Sequence, residues 1–207
     1  MGNNMNGLTG TVRAAAFVCI AAVLGGCAFG QKITYSDTVA DVEASGNKSV
    51  AVATLDQRPY VITGDKKPSF VGLSRGGYGN PFDVLTVSGA PLADEFSASI
   101  SRSLSERGFK SSVVKVAASQ SRRATIDQLR GAGAERLVLI SLKEWKSDKY
   151  MRTSLIYDVT VKVFDTAGEE LATASFHGDE VVGDVPTAFR SKIEEWFGDS
   201  KIVAALK

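Results

Sequence analysis

The sequence predicts an α/β fold in which one mixed five-stranded sheet carries helices on both of its faces. Strand-like segments rich in valine and alanine alternate with helical patterns through the first two thirds of the chain, as in β-α-β units. The stretch "RLVLISL" at 136–142 is almost continuously apolar, which is typical of a strand at the centre of a sheet. Residues 154–164 alternate apolar and polar side chains, as in a strand with one buried face.

The first strand is predicted at 49–55, where "SVAVATL" is bounded by polar residues. A helix then begins at Pro91, because proline fits the first helical turn, and it ends at Gly108. Asp94 and Glu95 lie in its first turn, where negative charge suits the helix dipole, and we expect both to be solvated. Its apolar face recurs every four residues, at Leu92, Phe96, Ile100 and Leu104.

The remaining elements continue the pattern to the order β-α-β-α-β-β-β-α. They are a strand at 109–116, a helix at 119–131, strands at 136–142, 154–164 and 170–177, and a helix at 185–206 that is broken near Gly198. Because β-α-β crossovers are right-handed, the two crossover helices should lie on opposite faces. We therefore expect the strand order 2-1-3-4-5, in which the last strands are antiparallel.

A long connection, residues 56–90, separates the first strand from the first helix. Connections of this length usually carry structure of their own or a function. The turn-like stretch "GDKKP" predicts a hairpin that pairs residues 60–63 with 69–73.

Residues 1–26 have the three-part pattern of a secretory signal peptide. Arg13 is their only charge, an apolar run follows at 14–24, and Gly25 and Gly26 are small residues at a cleavage position. The apolar run is shorter than the roughly 20 residues that a membrane-spanning helix needs. We therefore expect this segment to be removed.

The apolar run ends in Leu24-Gly25-Gly26-Cys27, which resembles a bacterial lipobox. Small residues let an extended chain enter a narrow peptidase cleft, and the Cys27 thiol can form a thioether to a diacylglyceryl group. In lipoproteins with this motif the chain is cut before the cysteine and the new amino terminus is acylated. Each buried methylene adds about 0.8 kcal/mol of membrane affinity, so three acyl chains would anchor the protein stably. Cys27 is the predicted lipidation site.

The mature chain is predicted to consist of a tether and one domain. Residues 27–47 would hold the lipidated cysteine and a polar tether with a short strand near 32–35, and residues 48–207 would form a single periplasmic α/β domain. In the lipoproteins that this chain resembles, an aspartate after the cysteine favours the inner membrane, and Ala28 stands there instead. The expected location is the periplasmic face of the outer membrane.

Charge and composition exclude several kinds of site. The chain has 24 basic and 23 acidic residues, and a neutral domain lacks the basic footprint of nucleic-acid binding. Cys19 and Cys27, its two cysteines, precede the predicted domain, and His177 is its single histidine. Disulfides and cysteine-based or paired-histidine metal sites are therefore not expected, and neither is a cofactor.

The glycine-rich stretch "FVGLSRGGYGNPFDV", residues 70–84, resembles a phosphate-binding loop but fails both known patterns. Tyr78 stands where a P-loop has its lysine, and Phe82 stands where a dinucleotide fingerprint has its third glycine. Two interpretations remain. Its aromatic residues cover the edge of the sheet, or Arg75, Tyr78 and Phe82 contact a partner, since these residue types are enriched in interface cores.

Other candidate residues have structural interpretations. His177 lies in a strand without the G-x-S-x-G motif of a serine hydrolase, and we assign it no catalytic role. Asp56 and Arg58 end the first strand, where an ion pair between them is favoured over a ligand site. Trp145 and Trp196 are predicted in the core or at its rim. No catalytic residue is expected, and the protein is not expected to be an enzyme.

Several short motifs together resemble the YajG-like family of bacterial lipoproteins. They are the lipobox, "SVAVATLDQRP", "FVG", a helix that ends in "RGF", and the apolar strand "LVLISL". The resemblance implies an envelope lipoprotein with an α/β domain. That family has no assigned activity, so the resemblance supplies no catalytic residue.

These observations favour a non-enzymatic accessory lipoprotein that holds an interaction domain near the membrane. Its expected partners are the bilayer, through acylated Cys27, and a periplasmic protein. The alternative is a binder of a small or lipidic ligand that uses the 56–90 connection and the strand ends. An apolar cavity beside Phe70, Tyr78 and Phe82 would favour the ligand, and an exposed aromatic patch would favour a protein partner.

Overall fold

A computed structural model describes residues 31–207 of the chain, so the predicted signal peptide, the lipobox and Cys27 lie outside the described residues. The elements are β1 Lys32–Ile33, β2 Ser49–Asp56, α1 Pro59–Ile62, β3 Phe70–Arg75, β4 Pro81–Thr86, α2 Leu92–Glu106, β5 Lys110–Val113, α3 Arg122–Gly131, β6 Arg136–Lys149, β7 Thr153–Phe164, β8 Glu170–Val182, α4 Val185–Gly198 and α5 Ser200–Leu206.

The α/β fold and the arrangement of the five predicted strands are found. The sheet runs β5-β2-β6-β7-β8, with β2 parallel to β5 and β6, and β7 antiparallel to both of its neighbours. Helices cover both faces. The side chains of α2, α4 and α5 pack on one face, where Val52, Ile140 and Val161 are buried. Helix α3 packs on the other face through Leu129, against Ala53 and Leu139.

The prediction of five strands is wrong, because the sheet of the described residues has eight. Strand β6 continues beyond residue 142, and its second half pairs in parallel with β3. Strand β3 forms an antiparallel hairpin with β4, and β4 pairs in parallel with β1. The hairpin is therefore built around the glycine-rich stretch, whereas residues 59–62 form the short helix α1, which Pro59 begins.

The predicted tether is also wrong from residue 31 onward, since residues 31–47 belong to the folded domain. Tyr35, Ala40, Val42 and Ala44 are each at most 2% exposed and lie in the main core. The Glu95 carboxylate accepts hydrogen bonds from the backbone amides of Tyr35 (2.8 Å) and Ser36 (3.4 Å). Ala40, Val42 and Ala44 alternate with the exposed Asp41 and Glu43, a period-two pattern that is weak as a sequence signal because its apolar side chains are few and small.

An aromatic cluster fills the centre of the main core. Trp145 and Trp196 are fully buried there, as predicted. The centroids of neighbouring rings are 4.5–6.2 Å apart, within the range of favourable aromatic contacts. The five rings belong to Tyr35, Phe96, Trp145, Phe189 and Trp196. The cluster joins the N-terminal segment, β6, α2 and α4.

The final helix is broken where the sequence predicted. Helix α4 ends at Gly198, and the Asp199 side chain caps α5 by accepting hydrogen bonds from the amides of Lys201 (2.9 Å) and Ile202 (3.3 Å). The break turns Ile202 and Leu206 onto the sheet, where both are fully buried.

Candidate functional site

The glycine-rich stretch forms the turn of the β3–β4 hairpin, which we call the hairpin tip, residues 76–80. The turn is closed by backbone hydrogen bonds from Gly79 to Gly76 (2.8 Å) and from Gly76 to Asn80 (2.9 Å). Gly79 has φ +81°, a conformation that favours glycine. Tyr78 is 98% exposed, the most exposed large hydrophobic side chain among residues 31–207.

The other two predicted contact residues fix the base of the tip. The Arg75 guanidinium donates to both carboxylate oxygens of Asp148 on β6, at 2.8 and 2.6 Å, and to the Gly79 carbonyl at 3.4 Å. The hydrogen bond from Arg75 lowers the pKa of Asp148. The half-buried Phe82 lies close to Gly76, where an added Cβ would be 3.2 Å from its ring. Of the three predicted contact residues, only Tyr78 has a side chain that is almost fully exposed.

Strand β3 approaches β6 so closely at Gly72 that only glycine fits. A Cβ at Gly72 would lie 2.1 Å from the Ser147 hydroxyl oxygen and 2.4 Å from the Ser147 carbonyl oxygen. With the Arg75–Asp148 pair, this contact holds the hairpin rigidly on β6.

The predicted ion pair between Asp56 and Arg58 is present and fully buried. Two nitrogens of Arg58 donate to the two Asp56 carboxylate oxygens, at 2.9 and 2.7 Å. Arg58, which is 0% exposed, also donates to the carbonyls of Phe70 (2.6 Å), Pro68 (3.2 Å) and Trp145 (3.4 Å). These further hydrogen bonds connect the start of the hairpin to β6, so the ion pair stabilises the fold and has no free donor for a ligand.

Beside this pair, Tyr60 of α1 donates a hydrogen bond to Glu144. Burial raises the pKa of the Tyr60 hydroxyl, and the bond to Glu144 raises it further, so the phenol stays protonated. Glu95 departs from the solvated position that its place in the first helical turn predicted. It is 3% exposed and binds the N-terminal segment and the Ser88 hydroxyl (2.5 Å).

A cleft of about 580 Å³ lies between β1, the hairpin, the end of β6 and the start of α4. Part of its lining is apolar and part is charged, with Asp37 and Asp184 beside the basic residues. The apolar residues include Ile33, Leu73, Val84 and Val185, and the basic residues are Lys32, Lys149 and Arg190. Phe70, Tyr78 and Phe82, beside which the sequence placed a possible cavity, do not line it.

The turn between β6 and β7 is a second exposed segment, and the sequence did not predict it. It contains Tyr150, 53% exposed, and Met151, 89% exposed, between Lys149 and Arg152. The signal that could have revealed it is the stretch "KYMR", in which apolar residues interrupt a turn where polar ones are usual.

His177 is exposed on β8, opposite Asp158 of β7. Within residues 31–207, no three His, Cys, Asp or Glu side chains are grouped as metal ligands. None of the helices in that same region is long and apolar enough to cross a membrane.

No family model matches the chain, and no curated protein matches it. Among solved structures, protein XCC0632 from Xanthomonas campestris, of the family DUF330, has 12% identity and a TM-score of 0.51 over 85% of this chain and 95% of that chain. Lipoprotein GNA1162 from Neisseria meningitidis has 13% identity and a TM-score of 0.31, over 70% and 92% of the two chains. The LpoB C-terminal domain from Salmonella enterica has 13% identity and a TM-score of 0.32, over 68% and 88%. The likeness to XCC0632 shows a shared fold, and the resemblance to the YajG-like family stays a prediction.

Proposed function

We propose that this protein is a non-enzymatic accessory lipoprotein of the bacterial envelope, anchored through acylated Cys27 on the periplasmic face of the outer membrane. The lipobox at Leu24–Cys27 supports the anchor, because it combines the small residues and the thiol that acylation requires after a signal-like apolar run. The described structure begins at Gln31, which is four positions after Cys27 in the sequence.

The observation that carries the proposed interaction role is the exposure of Tyr78 on a rigid base. An aromatic side chain that is 98% exposed gains nothing from the fold of its own domain. The Arg75–Asp148 pair and the close contact at Gly72 hold the hairpin that presents it. A preorganised tip loses little conformational freedom on contact, which favours binding to something outside the domain.

The alternative, a binder of a small or lipidic ligand, is favoured by the cleft beside β1. Its volume of about 580 Å³ is in the range of ligand sites, and its lining combines apolar residues with Lys32 and Arg190. Mass spectrometry of molecules extracted from the purified protein tests this alternative. A ligand that is lost in the variant Arg190→Glu would support it, and an empty wild-type protein would contradict it.

Two measurements in intact cells test the main proposal. The variant Cys27→Ser should lose incorporation of labelled palmitate and should leave the membrane fraction. A photo-crosslinking residue in place of Tyr78 should form adducts with lipid or protein, whereas the same residue at exposed Ala167, in the β7–β8 turn, should form few.

Unchanged palmitate labelling in Cys27→Ser would refute the anchor. Equal adduct yields at positions 78 and 167 would refute the role of the tip.

A further inference from the structure

The hairpin tip and the β6–β7 turn lie at the same end of the sheet. Strands β3 and β6 are parallel, with Ser74 paired to Lys149, so the tip and the turn follow neighbouring strand ends. Strand β8 is antiparallel to β7 and ends at the same place, because Val181 pairs with Ser154. We call this the tip end. The turn between β7 and β8 is at the opposite end, about 35 Å away along the twelve residues of β7.

The three most exposed large hydrophobic side chains of the described residues lie at the tip end, whereas Ile62, Val87, Val113 and Leu171 are exposed outside the hairpin tip and the β6–β7 turn. Tyr78 (98% exposed), Met151 (89%), Val181 (63%) and Tyr150 (53%) all lie there. The first two are the most exposed large hydrophobic side chains in residues 31–207, and they come from different turns. Two separate loops therefore present apolar groups in one direction.

Basic side chains flank these apolar groups. Lys149 and Arg152 are exposed on either side of Tyr150 and Met151, and neither forms an ion pair with a described residue. Two nearby carboxylates are already used: Asp148 is paired with Arg75, and Glu180 with Lys192. The turn thus combines aromatic, apolar and unpaired basic groups, the combination that binds the interface between water and anionic lipid headgroups.

The direction of β1 relates the start of the described chain to the tip end. Strand β1 runs parallel to β4, and β4 itself starts at the tip with Pro81, so the direction back from Lys32 leads toward the tip. Gln31 and Lys32 share the walls of the cleft with Lys149 and Thr153, which flank the β6–β7 turn. Gln31 is four positions after Cys27, and a fully extended chain of four residues spans at most about 14 Å.

We propose that the tip end is the membrane-facing surface of the protein, and that Tyr78, Tyr150 and Met151 contact the bilayer interface beside the lipid anchor. This inference rests on the proposed acylation of Cys27. It names the partner of the tip as phospholipid, with Lys149 and Arg152 on the headgroup phosphates. The short reach from Cys27 favours the bilayer over a second protein, because an anchored lipid holds this end of the sheet against the membrane.

The test uses the acylated protein in phospholipid vesicles that contain nitroxide-labelled lipids. An introduced cysteine would be its only free thiol, because the thioether blocks Cys27 and Cys19 lies in the predicted signal peptide. A fluorophore is attached at Met151→Cys, at Tyr78→Cys and, as the control at the opposite end, at Ala167→Cys. We expect quenching at positions 151 and 78 to exceed that at position 167 at least threefold.

A charge variant provides the second measurement. The double change Lys149→Glu and Arg152→Glu should reduce quenching at position 151 at least twofold. The matched control, Arg122→Glu and Arg123→Glu, alters two exposed arginines of α3 at the opposite end and should leave quenching unchanged.

The outcomes separate the two proposals. Acylated, membrane-bound protein with equal quenching at all three positions would overturn the membrane-facing surface and leave the lipoprotein assignment standing. Protein adducts at position 78 in cells, without quenching in vesicles, would assign the tip to a protein partner and overturn this inference. An unacylated Cys27 would overturn both.

Discussion

Replacing Tyr35 tests whether residues 31–47 are part of the folded core. The Tyr35 ring is 0% exposed and lies 5.0 Å, centroid to centroid, from that of Phe189. Its hydroxyl accepts a hydrogen bond from the Trp145 indole nitrogen at 3.1 Å. The change Tyr35→Ala removes both the ring and the acceptor, whereas Tyr35→Phe removes only the acceptor.

The magnitudes follow from these contacts. Truncating a large buried aromatic ring to alanine costs about 3–5 kcal/mol, and a buried donor left without an acceptor costs about 1–3 kcal/mol. Because water can enter the alanine cavity and hydrate the Trp145 nitrogen, we expect a total loss of about 4–6 kcal/mol in the free energy of unfolding for Tyr35→Ala. Tyr35→Phe should lose about 1–3 kcal/mol.

Urea unfolding followed by circular dichroism gives the free energy of unfolding, and thermal melting gives a second measure. A loss of about 4–6 kcal/mol corresponds to a fall in Tm of roughly 10–20 °C for a domain of this size. The control is Tyr78→Ala, which removes the same side chain from an exposed position and should change the stability by at most about 0.5 kcal/mol.

Equal stability of Tyr35→Ala and Tyr78→Ala would refute the reasoning, because Tyr35 would then belong to a tether as the sequence suggested. If Tyr35→Ala does not fold, Tyr35→Phe still decides the question, since its small loss is measurable in a folded protein.

Three other variants or conditions test further contacts, the first by the same unfolding measurements and the other two by amide exchange. Asp56→Ala leaves the buried Arg58 charge unpaired and should lower the free energy of unfolding by about 3–5 kcal/mol. Its control, Asp83→Ala, breaks an exposed ion pair with Lys66 and should lower it by at most about 1 kcal/mol. Similar losses in the two variants would contradict the buried network. Gly72→Ala should weaken the β3–β6 contact, seen as faster amide exchange in the hairpin, because its methyl would lie 2.1 Å from a hydroxyl oxygen of β6. The Asp148 pKa is lowered by its partner arginine, so the pair should stabilise the hairpin fully above about pH 4 and lose this effect as the pH falls through the lowered pKa. The measure is the protection factor of the hairpin amides, which corrects for the intrinsic pH dependence of exchange; protection factors that are unchanged from about pH 6 to about pH 3 would contradict the prediction.

The parts of the fold that the sequence predicted are those with a periodic or continuous apolar pattern. The core of β6 at Leu137–Leu142 has a run that only a buried strand explains, and the alternation in β7 shows one buried face. The break between α4 and α5 was visible because Gly198 and the capping Asp199 interrupt an apolar face. In each case the signal is local, so neighbours in sequence are enough to read it.

The missed parts depend on contacts between distant residues. Ala40, Val42 and Ala44 alternate with exposed Asp41 and Glu43, but this pattern covers only five positions and its apolar residues are small. The segment is fixed by contacts with α2, where the Ser103 hydroxyl accepts a hydrogen bond from the Ala40 amide. Strands β3 and β4 were not predicted as a hairpin, since the pairing of β3 with β6 relies on a glycine contact across 75 positions, from residue 72 to residue 147.

The candidate site shows the same division. The sequence identified Tyr78 as a residue type that is common in interfaces, but its exposure could not be predicted. The position of the tip depends on the ion pair of Arg75 with Asp148, which is 73 residues later in the chain. The pairing of Asp56 with Arg58 was predicted since the two are neighbours in sequence. Tyr150 and Met151 were missed because nothing in the sequence places their turn beside the hairpin tip.

The burial of the N-terminal segment has a consequence for the order in which the protein can fold. Tyr35 packs on Trp145 and Phe189, and the amide of Asp41 binds Glu194, 153 residues later. The N-terminal part of the described chain therefore has to wait for helix α4 before its core can close. Such long sequence separations slow folding and leave apolar surface exposed meanwhile. A chaperone that holds the emerging chain would shorten that exposure, and its depletion should lower the yield of this protein more than that of a domain built from local contacts.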